Sequence, residues 1–151
     1  MSDLVESWQI AGRITTYVLQ AVDADVLTDK LEPRGWTVGQ HFMHLHNNRR
    51  EWLAGYADLQ AALTKIPKDR AGDKAALQAA LEQSAQVVAQ MLERAIEKGK
   101  VSGFKRSPAA FVGYLVAHEA YHLSEIGVIL AENGHRLPKE VAWGMWEWDK
   151  R

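Results

Sequence analysis

Residues 107–134 read SPAAFVGYLVAHEAYHLSEIGVILAENG. Ser107 followed by Pro108 is a strong helix start, a hydroxyl to cap free amides and a proline that needs no amide of its own. Asn133-Gly134 is an equally strong stop, because glycine accepts the left-handed conformation that ends a helix. Between them Phe111, Leu115, Ile126 and Ile129 recur on one face, which predicts an amphipathic helix. His122 falls inside that apolar stripe and His118 on its edge, roughly 40° apart at i and i+4. Histidines stacked on a buried face cost desolvation unless hydrogen bonds or a metal satisfy them.

Outward from this helix the chain repeats the same grammar. A first helical segment is expected from Asp3 to near Asp29, with Leu4, Trp8, Ile14, Val18 and Val22 on one face, ended by LEPRGW. A second begins at Thr37, with Gln40 three residues on as its capping partner, and is expected to run through Trp52, Tyr56 and Leu59 to about Leu63. TKIPKDRAG then links to a third, capped by Asp73 and closed near Lys98 by Gly99. No alternating strand pattern, internal repeat or low-complexity tract is visible. One all-α domain over residues 1–151, a four-helix bundle with a Trp-rich tail, is the expected fold.

Composition narrows the function. A net charge of -1 does not fit a nucleic-acid binder, whose footprint is strongly basic. With no cysteine there is no thiolate ligand, no cysteine nucleophile and no disulfide, which suits a reducing cytoplasm. The start MSDLVESWQI lacks a signal-peptide pattern, and no apolar run is long enough to cross a membrane. Trp143, Trp146 and Trp148 crowd the tail. They are expected to cover something: the bundle end, the site, or a contact with a second copy.

His118-Glu119-Ala120-Tyr121-His122 also spells H-E-x-x-H, the zinc-protease pattern with the glutamate as base. The metzincin continuation needs a glycine and a third histidine where this chain has Glu125 and Val128. Glu140 and Glu147 lie beyond Pro138, off any expected helix. The second helix offers His41, His44 and His46 within two turns. Periodicity favours His41, nearer the stripe of Val38, Leu45, Trp52 and Tyr56, over His44 on its flank.

A resemblance favours His44. WTVGQHFMHL (36–45) and HEAYHLSEIGVILAENG (118–134) resemble the two anchors of the DinB/YfiT-like superfamily of metal-dependent four-helix bundles, over nearly the whole chain. The resemblance implies His44, His118 and His122 as ligands to one divalent metal, and an up-down-down-up helix order. That order makes the second and third helices parallel. Nine linker residues span at most about 31 Å and a 26-residue helix is about 39 Å long. Either the helices shorten near the linker or the order is the ordinary up-down-up-down. The chain departs from the family at Ser124-Glu125, and Glu125 shares a face with His118, where it can support a ligand imidazole. Glu119 is not a family requirement.

Three neutral imidazoles leave a metal its full charge and an open position. Zinc and nickel are the leading candidates, with iron, manganese and cobalt also compatible. Some members of the superfamily are thiol-dependent transferases. The expected activity is therefore transfer of a low-molecular-weight thiol to a small electrophile. The alternatives are a hydrolase with Glu119 as general base and a non-enzymatic, stress-associated metal-binding protein. The expected partners are a small-molecule substrate and a second copy of the chain in a homodimer, with no nucleic acid and no membrane.

Overall fold

The computed structural model describes residues 2–151. Its helices are α1 (Asp3–Ala21), α2 (Val38–Trp52), α3 (Ala57–Gln60), α4 (Lys74–Lys98), α5 (Pro108–Glu132) and α6 (Lys139–Gly144), with short 3-10 turns between them. The described residues contain no strand, and none of their helices is long and apolar enough to cross a membrane.

The long helices begin where capping chemistry predicts. Asp73 and Ser107 accept from Ala76 N and Ala110 N. Thr37 and Gln40 form the full reciprocal box, each side chain bonded to the other's amide. Gly99 takes φ 68 beyond α4 and Gly134 φ 79 beyond α5, the left-handed closure expected at both sites.

Two ends differ from the periodicity. The first helix stops at Ala21 rather than near Asp29, and residues Ala24–Thr28 form a 3-10 turn. No basic residue lies in the last turn of α1, and Asp23 and Asp25 follow, so continuation would stack negative charge on a negative helix end. Lys74 of α4 caps that end, donating to Gln20 O and Val22 O. The second helix stops at Trp52 rather than Leu63. A 3-10 turn, Leu53–Gly55, carries the chain past Ser102, whose Oγ would lie 2.0 Å from a Cβ on residue 55. Tyr56, at φ -135, then redirects the chain so that Tyr56, Leu59 and Leu63 bury instead of continuing the α2 stripe.

Side-chain contacts fix the relative directions. Gly39 lies against Ala71, His46 against Ala80 and Arg49 against Ser84, so α2 and α4 run the same way. Trp8 reaches Ala85 while Lys74 reaches Gln20, so α1 opposes α4. His41 meets His122 and His44 meets His118, so α2 opposes α5. The parallel pair is possible because α2 is only 15 residues, about 22 Å. The connection from Leu53 to Asp73 covers that length easily. Asn47 anchors it, its side-chain amide exchanging two 2.9 Å bonds with Ile66. His46 bonds Thr64 O at 2.8 Å and so holds the same connection.

The core forms two apolar clusters, one around Trp8, Leu53, Met91 and Phe111, the other around Leu19, Phe42, Leu77 and Ile126. Between them lies a buried polar layer with one side chain from each long helix: Thr15, Arg49, Ser84 and Glu119. The tail docks through Gly144, packed on Tyr17, with the Arg151 guanidinium over the Tyr17 ring at 3.8 Å. Trp143 and Trp146 are 64% and 77% exposed. They therefore do not cap the bundle, the first of the roles the sequence offered them.

Candidate metal centre

Where α2 and α5 cross, four imidazoles form two antiparallel rungs. His44 Nε2 lies 3.2 Å from His118 Nε2, and His41 Nδ1 lies 2.9 Å from His122 Nδ1. His44, His118 and His122 each offer a nitrogen within 4.8 Å of the others, a set able to hold one divalent ion. His41 is outside that set and reaches only His122.

The donor set fits a metal in charge and in spacing. Tetrahedral bonds of about 2.0–2.1 Å put two nitrogen ligands about 3.3 Å apart, close to the His44–His118 separation. Without an ion, the same distance serves a hydrogen bond between neutral rings. Burial is the main reason all four imidazoles lose protons more easily than usual. His122 is held lowest, to about 3, by desolvation and then by His118, His44 and His41. His44 is lowered by desolvation and His118, and His118 by desolvation against the opposing pull of Glu119. At neutral pH these rings are uncharged, the state in which an imidazole can ligate a metal.

Aromatic side chains border the rings. Trp36 stacks on His122 at 6.0 Å with an interplanar angle of 11°, and meets His41 and His44 at 5.3 and 5.0 Å. Tyr114 stacks on His118 and Tyr121 sets its edge against His122. All three are substantially exposed.

Glu119 points elsewhere. It is 3% exposed, and Arg49 grips it with Nε to Oε1 at 3.1 Å and Nη2 to Oε2 at 2.8 Å. Thr15 Oγ1 donates to Oε2 as well. Arg49 is itself saturated, its Nη1 bonding Leu81 O and Ser84 Oγ and its guanidinium lying 5.0 Å over Trp8. A residue following a ligand by one is turned about 100° around the helix, here toward the bundle axis. Glu125 bonds no ligand ring; its charge acts on His41, opposing the effect of burial there.

Arg49 and Thr15 belong to no motif, but the sequence carries a signal for Arg49. Phe42, Leu45 and Arg49 follow i, i+3, i+7, and Leu115, Glu119 and Ile126 share the α5 stripe. Two opposite charges in core phase call for each other.

A model of the DinB family matches residues 1–146. No curated protein and no solved structure matches the chain.

Proposed function

The chain belongs to the DinB family, and from that premise we propose a metal-dependent enzyme that joins a low-molecular-weight thiol to a small electrophile. The observation that carries this reading is the three-imidazole set of His44, His118 and His122, neutral at working pH and free of carboxylate. A divalent metal held there, zinc or nickel first, keeps its full charge and an open position, and so supplies acidity to a thiol that reaches it. His44 and His118 approach from opposing helices and hold the site at a fixed helix crossing. Trp36, Tyr114 and Tyr121 border the rings and offer aromatic surfaces to the electrophile.

The hydrolase alternative assigns Glu119 as general base. A base needs a free oxygen within about 3 Å of the proton it takes. Both Glu119 oxygens are bonded to Arg49, and one also to Thr15, which favours the transferase. The same reading places the protein in the cytoplasm, where small thiols stay reduced. The outward Trp143 and Trp146 support a homodimer contact.

The test is loading with zinc or nickel, followed by parallel screens for thiol conjugation to alkylating electrophiles and for ester or amide hydrolysis. Metal-dependent thiol consumption is the expected result. Metal-dependent hydrolysis without thiol would establish the alternative, and metal binding without turnover would leave the non-enzymatic reading.

A further inference from the structure

His122 has two ring nitrogens, and one is already committed. Its Nδ1 lies 2.9 Å from Nδ1 of His41, so only Nε2 remains as a possible ligand atom. A bond between two neutral imidazoles needs one donor and one acceptor, and its direction decides what His122 can do. If His41 donates, Nδ1 of His122 accepts, the His122 proton sits on Nε2, and no lone pair faces the site. If His122 donates, its Nε2 is unprotonated and available as a ligand.

On the metal-centre reading above, we infer that His41 is a positioning residue that accepts from His122 Nδ1–H and thereby holds His122 in the ligating tautomer and orientation. His41 then carries its own proton on Nε2, because its Nδ1 is the acceptor. Its place is well fixed. It is 7% exposed, its amide bonds Thr37 O at the helix cap, and Trp36 sets an edge against its ring. Metal-ligating histidines usually donate their second N–H to a carboxylate, a carbonyl or water. A neutral imidazole in that role lends no negative charge to the ligand, so the metal's positive charge is undiminished.

Two measurements test this. In metal-free wild-type protein, the ¹⁵N ring shifts of His122 at neutral pH should show the Nδ1–H tautomer; an Nε2–H tautomer overturns the inference. That readout needs no variant and no metal, so it stands apart from whether the protein binds metal at all. For affinity, zinc is titrated against a chelator in wild type, His41→Ala and His41→Asn, with metal-free urea unfolding run alongside. His41→Ala should weaken zinc about 10- to 100-fold. His41→Asn, whose Oδ1 can stand where the accepting Nδ1 stood, should recover most of the loss. Wild-type affinity in His41→Ala, or no recovery in His41→Asn, overturns it.

Discussion

Arg49 and Glu119 meet through two parallel N–H···O bonds, of 3.1 and 2.8 Å, with both side chains almost wholly shielded from solvent. Arg49 comes from α2 and Glu119 from α5, the two helices that carry the candidate metal-site histidines. The pair therefore sets the register of those helices directly beside His118. Removing one partner of a buried pair leaves the other charge stranded, typically at a cost of about 3–5 kcal/mol. Glu119→Ala should lower stability by that order in urea unfolding. Arg49→Met combined with Glu119→Leu should cost much less, because it leaves no orphaned charge. Equal losses in the single and double variants would contradict the ion-pair account.

Glu119→Gln gives a separate prediction. It keeps one acceptor oxygen toward Arg49 and Thr15, gives up the carboxylate charge at a cost in stability, and touches none of the nitrogens of His44, His118 and His122. Metal stoichiometry should be unchanged and thiol conjugation should survive within a few-fold. A hydrolase using Glu119 as base would lose about 10²-fold or more in rate by the same change. A metal-loaded variant without any conjugation would count against the proposed reading.

The metal-free protein should be sensitive to acid. His41, His44, His118 and His122, and His46 beside them on α2, all sit below the usual histidine value, chiefly through desolvation, and His122 lies at about 3. The unfolded chain then takes up protons first as pH falls through about 6.5. Stability is fully present above that value and is lost as pH falls toward the folded values. The lowered carboxylates Asp58 and Asp73 contribute only near or below about pH 4 and do not mask this window. The urea midpoint of metal-free protein should be flat above about pH 7 and fall between about pH 6.5 and pH 4. A flat profile across that range would contradict the buried, neutral cluster.

Much of this could be read before the structure. Thr37, Asp73, Ser107 and Gly99 delimit helices by local chemistry that acts within four residues, and each appears where its sequence places it. The α5 stripe likewise puts His122 inside and His118 at the edge. The end of α2 was not legible, because it depends on Gly55 passing Ser102, a contact between segments 47 residues apart. Arg49 and Glu119 were legible only in part. Their phase on α2 and α5 points them inward, but that they meet each other, with Thr15 and Ser84 in the same layer, depends on how four helices pack. His44 was reached by resemblance where periodicity leaned toward His41. The structure gives both a place, His44 opposite His118 and His41 opposite His122.

Gly39 tests the junction that carries the site. A Cβ there would lie 1.9 Å from Ala71 O, far inside contact distance and against backbone that cannot rotate away. Gly39→Ala should push the first turn of α2 off the start of α4 and cost at least about 1–3 kcal/mol, the usual range for overpacking. Because His41 and His44 ride on that helix, zinc affinity should fall with it. Stability within about 0.5 kcal/mol of wild type would mean that the close approach is not a real constraint.

The most direct test of the metal centre is stoichiometry. Purified protein is stripped with chelator, reloaded with zinc or nickel, desalted and measured for metal per chain, beside His44→Ala, His118→Ala and His122→Ala. One ion per wild-type chain, and loss of stoichiometric binding in each variant with helical content retained, is the predicted result. Full occupancy in His122→Ala, or no ion in the wild type, would contradict it.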